Sequence, residues 1–166
     1  MTRCQTHSSP PARGFTIIEL MVVVAIAVLL LSIAVPGFRE LMASQRVKTV
    51  SYEIVSDLTL ARSEALKRGQ DVSLAPAEGG WAAGWSVTTA VTTPTAAIVQ
   101  LSQKNPVGTG VTFTTSPGTV TFDLNGRIAG ATTVTRFGLT DGRANRRCIS
   151  LDPSGRPKRA NTECPT

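Results

Sequence analysis

The sequence predicts an α+β protein: a long N-terminal helix, its first half membrane-spanning, packed on a C-terminal antiparallel β-rich head. Three observations predict it. A single apolar run near the N-terminus is long enough to cross a bilayer. The stretch after it repeats apolar residues at helical spacing. Beyond Gly69 the composition turns to Thr and Val, punctuated by Gly, Pro and Asn. With 166 residues there is room for one such head and no second domain.

Residues 1–14 read as a leader, with Arg3 and Arg13 and no acid. Residues 15–35, FTIIELMVVVAIAVLLLSIAV, contain 21 residues and one charge, Glu19. As a helix this run spans roughly 30 Å, the thickness of a bilayer core. Basic residues ahead of it retain the N-terminus in the cytoplasm and place the rest of the chain across the inner membrane, in the periplasm. A secretory signal peptide would have a shorter apolar region followed by a small-residue cleavage site. Glu19 inside the run costs about 2.5–3.5 kcal/mol on insertion scales, so it needs a partner.

Residues 36–69 continue as an amphipathic helix. Val47, Val50, Ile54, Leu58, Ala61 and Ala65 recur at steps of three and four, forming one stripe. Arg46, Lys48, Glu53, Asp57, Arg62 and Glu64 fall largely off it. Lys67 and Arg68 suit a helix C-terminus, and Gly69 a terminating position. A continuous helix from Phe15 to Arg68 would be about 80 Å long. Pro36-Gly37 is expected to kink or locally melt it.

Residues 70–166 form the head. Candidate strands cover 71–75, 84–89, 97–102, 110–114, 119–124, 133–139 and 147–151. Asn125-Gly126 and Asp152-Pro153-Ser154-Gly155 are turn signals, and Thr88–Thr95 reads as a loop or irregular hairpin tip. Trp81 and Trp85 read as core side chains; a base-stacking role would need an exposed ring beside positive charge.

Several function classes lose their residues. The single His, His7, lies in the leader, so imidazole chemistry and His-containing metal sites are not expected. No paired-carboxylate motif, Gly-rich phosphate loop or nucleophile–base pair stands out, and Asp57, Glu64 and Asp71 read as a solvated helix face and its exit. The protein is therefore expected not to be an enzyme, and to hold no cofactor or metal. Cys4 goes with the leader. Cys148 and Cys164 remain in a portion facing an oxidising compartment, where a disulfide is expected. It would close a 17-residue loop worth about 3 kcal/mol. The alternative is two free thiols, with Cys148 buried in its strand.

The residues Arg13-Gly14-Phe15-Thr16-Ile17-Ile18-Glu19 resemble the processing site of type IV pilins and pseudopilins. That resemblance implies cleavage by a prepilin peptidase after Gly14 and methylation of the new N-terminal Phe15. It also implies pairing of Glu19 with the terminal amine of a neighbouring subunit, so that other pilins are partners through this helix. After residence in the inner membrane the protein would enter a pilus. LARSEALKRGQDVSL, WAAGWSV and CISLDPSGRPKR further resemble the GspH/FimT group of minor pseudopilins, and the FimT branch most.

Net charge is +6, with 17 Lys and Arg against 11 Asp and Glu, and a pI near 9.9. From Arg127 to the C-terminus there are eight basic and three acidic residues, so the positive charge is concentrated there. Such a surface suits anionic partners. Arg156-Pro157-Lys158-Arg159 follows a turn, which is expected to hold its three cations close together. In the FimT branch a Gly-Arg-x-Arg motif is linked to DNA binding in natural transformation. Gly155 and Arg156 match it, Lys158 replaces its second Arg, and Arg159 follows; Arg143, Arg146 and Arg147 are outlying candidates. The expectation is non-specific binding of extracellular DNA. The alternative is an assembly subunit of a type II secretion pseudopilus or pilus tip that binds only other pilins. For Arg147, alternation with Cys148 leaves an outward-pointing side chain open.

Overall fold

The computed structural model describes residues 14–91 and 97–165. Expectations for the leader, including Arg3, Cys4, His7 and Arg13, lie outside these residues. Two compact units divide the chain, the first ending at Arg39 and the second beginning at Glu40.

Helix α1 (Ile17–Arg68) contributes to both units. Its first turn is capped by Thr16, whose Oγ1 accepts from the Glu19 amide at 3.3 Å. In the first unit the apolar residues after Phe15 are exposed on the isolated chain, and this helix is long and apolar enough to cross a membrane. Pro36 and Gly37, expected to kink the helix or locally melt it, stand inside its single helical span, so the helix does not melt there. Pro carries no N–H, so one carbonyl a turn earlier in the helix goes without its intrahelical donor.

The second unit holds the remainder of α1 and eight strands. These are β1 (Val72–Ala77), β2 (Gly80–Val91), β3 (Ala97–Lys104), β4 (Thr112–Thr115), β5 (Val120–Phe122), β6 (Thr135–Thr140), β7 (Arg146–Leu151) and β8 (Pro157–Ala160). They form two antiparallel sheets, in the orders β3-β2-β1-β5 and β4-β6-β7-β8. Two expectations are corrected. Thr88–Val91 belongs to β2 rather than to a loop, because β3 pairs with it through Val91↔Ala97; residues 92–96 lie outside the described ones. The basic segment after Gly155 is a strand, β8, paired with β7. Its charges and proline hid it, and both are common on an edge strand, where one row of backbone groups faces solvent.

The whole predicted stripe of α1, from Val47 to Ala65, is buried. It shares one core with Val72, Leu74, Trp85 and Val87 of the first sheet and Phe137, Leu139, Ile149 and Leu151 of the second. Each large apolar side chain so buried contributes about 1.5–3 kcal/mol relative to exposure. Trp81 packs edge-on against Phe137 at 4.8 Å between ring centroids and donates its indole N–H to the Pro117 carbonyl at 2.7 Å. Trp85 donates to Asp57 at 2.7 Å. Both rings are core, as expected. Asp57 is not a solvated residue: it also accepts from Ser102 at 3.2 Å and so ties α1 to β2 and β3. Gly69, at φ +61°, ends the helix with its amide on the Ala65 carbonyl at 2.9 Å.

Candidate functional site

Strand β7 is the axis of the basic region, with β6 on one side and β8 on the other. The turn into β8 is built around Asp152. Its carbonyl accepts from the Gly155 amide at 2.8 Å, and its carboxylate accepts from the Ser154 hydroxyl and, at 3.3 Å, from the Arg156 amide. The Ser154 hydroxyl, then the Arg156 amide, hold this carboxyl below the usual carboxylate range, and the charge of Lys158 adds to the shift. Gly155 has φ +76°, and a Cβ on it would overlap the Gly126 carbonyl oxygen. The glycine of the basic motif therefore serves the turn and its contact with the neighbouring loop.

Register then separates the cations. Ser150 pairs with Lys158 and with Arg136, while Ile149 pairs with Arg159. Because side chains alternate along a strand, Lys158 and Arg136 share the face of Ser150, whereas Arg159 shares the face of Ile149, which is in the core against α1. Arg156, Lys158 and Arg159 are thus not one cluster, contrary to expectation: a turn would have gathered them, and a strand deals them to opposite sides.

On the helix side, the Arg159 guanidinium lies 3.7 Å from the centroid of the Tyr52 ring. Arg147 has the parity of Ile149 and joins it there. Lys48, Tyr52, Arg147, Arg159 and Asn161 line a polar cavity of about 380 Å³. The Tyr52 phenol is held below its ordinary value, first by a hydrogen bond from Arg159 and by that residue's charge, with smaller contributions from Lys48 and Arg147. Sequence reasoning missed Tyr52, Lys48 and Asn161. Lys48 and Tyr52 are four residues apart beside the buried stripe, the spacing of neighbours on one helix face, and that was the available signal.

The outlying arginines are dispersed. Arg146 forms an exposed ion pair with Glu163. Arg143 sits in the β6–β7 turn, its amide on Asp141 at 2.8 Å, at the opposite end of β7 from Arg156. The expected disulfide is present: Cys148 and Cys164 are bonded, with 4.9 Å between their Cα atoms, tying the C-terminal segment to β7. At the other end of the chain, Phe15 is 85% exposed, Gly14 has open space around it, and Glu19 makes no ion pair among the described residues. Among the described residues no group of His, Cys, Asp and Glu is placed to hold a metal ion.

Comparison with known proteins places this architecture. Residues 10–35 match the prokaryotic N-terminal methylation motif, and residues 52–155 match the family described as type II transport protein GspH. Fimbrial protein EcpB of Eikenella corrodens is 38% identical over 68 residues, 41% of this chain and 42% of that protein, so the matched part spans less than half of that relative. Crystal structures of the type IV minor pilin FimU of Pseudomonas aeruginosa are similar in fold. One has a TM-score of 0.57 at 20% identity, covering 69% of this chain and 87% of the other. A second crystal form has 0.54 at 21%, covering 68% and 91%. A methylation motif leading an apolar helix, two antiparallel sheets on the helix's amphipathic continuation, and a family match over most of the head agree: the chain belongs to the GspH family of minor-pilin-like proteins.

Proposed function

We propose that this protein is a minor type IV pilin whose basic C-terminal surface binds extracellular DNA without sequence preference, in support of DNA uptake during natural transformation. In this reading prepilin peptidase cuts after Gly14, Phe15 is methylated, and the helix holds the protein in the inner membrane with its head in the periplasm until it joins a pilus. Glu19 then meets the terminal amine of a neighbouring subunit, because an opposite charge satisfies a carboxylate in an apolar environment. The role is binding and assembly, not catalysis.

The observation that carries the DNA reading is the state of the cations around β7. Among the described residues Arg146 has an ion-pair partner, Glu163, while Arg136, Arg143, Arg147, Arg156, Lys158 and Arg159 have no carboxylate within ion-pair distance. Cations left without acids on a surface are available to phosphates, and with no helix presented for base reading the contacts would be electrostatic. The second reading, a pseudopilus or pilus-tip subunit that binds only other pilins, is favoured by the match to type II transport protein GspH.

Anisotropy titration of the full chain in detergent micelles against labelled duplex DNA separates the two. Each phosphate contact contributes roughly −0.9 to the slope of log K against log salt, so replacing Arg156, Lys158 and Arg159 by Ala should flatten it by up to about 2.7. Removing equal charge at Arg39, Lys67 and Arg68 should leave binding nearly intact. Equal weakening by both variants, or no binding by the wild type at low salt, leaves the assembly reading.

A further inference from the structure

We infer that Lys48, Tyr52, Arg147, Arg159 and Asn161 form a phosphate seat between helix α1 and the β7–β8 edge, which takes a backbone phosphate of a nucleic-acid strand with its adjoining sugar. The inference rests on the DNA reading and adds to it a defined place of contact, away from the Gly155–Lys158 turn.

Three cations converge here from three elements, Lys48 from α1, Arg147 from β7 and Arg159 from β8, and no carboxylate among the described residues pairs with them. Like charges brought together in this way repel, and an anion from outside relieves the repulsion. The donors suit a phosphate. The Arg159 guanidinium lies over the Tyr52 ring, and of its five N–H donors those not directed at the phenol are open to an anion's oxygens. Lys48 and Tyr52 offer an ammonium and a phenol from the helix wall, and Arg147 and Asn161 offer a guanidinium and an amide from the sheet wall.

Charge favours a nucleic-acid strand over an acidic side chain of a neighbouring protein. The cavity, about 380 Å³ and open to solvent, has room for a phosphate with its sugar. A single carboxylate brings one charge to three cations, whereas a strand brings one charge per nucleotide. The Tyr52 phenol is held low first by the hydrogen bond from Arg159 and then by that residue's charge, with Lys48 and Arg147 adding less. Register explains why the seat is separate from the motif: Lys158 points to the other face of the sheet and cannot reach it.

The chain contains one tyrosine, so isotope-labelled tyrosine gives a single phenol NMR signal located in the seat. The full chain in detergent micelles is titrated at low salt with a short single-stranded oligothymidylate, and anisotropy is followed in parallel. The expected result is a shift of the Tyr52 signal that saturates at the same DNA concentration as the anisotropy. Lys48→Gln or Arg147→Gln should weaken binding roughly tenfold, as loss of a charge-assisted contact does, while Lys67→Gln should change it little. Binding by anisotropy with the Tyr52 signal unmoved would overturn the seat and leave the DNA reading standing. Absence of binding to the oligothymidylate would overturn the seat, and absence of binding to duplex DNA as well would overturn both. An acidic peptide that moves the signal at lower concentration than the oligothymidylate would overturn the seat in favour of a protein partner.

Discussion

Replacing Gly155 by Ala tests whether the glycine of the basic motif is there for the backbone. At φ +76° an L-residue costs about 1–2 kcal/mol. The new Cβ would also overlap the Gly126 carbonyl oxygen and come within 3.1 Å of Phe122 Cε1. That carbonyl has little freedom to withdraw, since it accepts from Arg62 Nε at 3.0 Å, and a Cβ on Gly126 itself would already crowd Leu66. Forcing a methyl into such a contact adds about 1–3 kcal/mol. The expected loss is roughly 2–5 kcal/mol, or a fall of about 7–19 °C in the thermal midpoint of a head this size. Gly142→Ala is the matched control: its φ is +77° and nothing lies within 4 Å of its Cβ position, so it suffers the backbone strain alone. Thermal unfolding of the full chain in micelles, followed by circular dichroism, measures both variants. Equal midpoints for Gly155→Ala and Gly142→Ala would refute the close-contact argument, and a Gly155→Ala protein that loses DNA binding at unchanged stability would show the glycine acting at the ligand.

Four further outcomes follow from particular contacts. Reducing the Cys148–Cys164 bond, whose partners are 16 residues apart, should lower stability by about 3 kcal/mol; an unchanged denaturation midpoint with and without reductant would contradict this. Asp57→Ala leaves the Trp85 indole N–H and the Ser102 hydroxyl without their acceptor and should cost about 1–3 kcal/mol in urea unfolding, with Asp57→Asn costing less because one acceptor oxygen remains. Asp152 has a folded-state pKa below its unfolded one, so its stabilisation of the β7–β8 turn is present above the usual carboxylate range and is lost as the pH falls through the folded value. Protection of the Gly155 and Arg156 amides, measured relative to their intrinsic exchange rates, should fall in that acid window, and Asp152→Asn should abolish this pH dependence of protection. Glu19→Ala should still insert in the membrane while its incorporation into sheared filaments drops; normal incorporation would count against charge pairing with a neighbour's amine.

Most of the fold was legible because its signals are local. The long apolar N-terminal helix, the stripe from Val47 to Ala65 and the stop at Gly69 follow from residue spacing along one helix, and the structure keeps each of them. Seven of the eight strands stood near their expected positions, since runs rich in Thr and Val between turn residues have few other options. The eighth, β8, was not legible: Pro157-Lys158-Arg159 has poor strand propensity, and it is a strand because β7 offers an edge and the Cys148–Cys164 bond keeps the segment beside it. Asp57 was misread for a similar reason, since its partners, Trp85 and Ser102, come from strands distant in sequence.

The sequence by itself determined that this chain has a methylation-type leader motif, a membrane-length helix and a basic C-terminal quarter, because motif, length and charge are properties of consecutive residues. Only the tertiary structure decided how that charge is arranged. Strand register sends Lys158 toward Ser150 and Arg159 toward Ile149, and it brings Arg159 to a tyrosine more than a hundred residues earlier in the chain. A shift of one residue in the pairing of β8 would exchange those faces without changing composition. The face a cation occupies is fixed by which backbone groups pair across the sheet, and that pairing depends on contacts no linear pattern records.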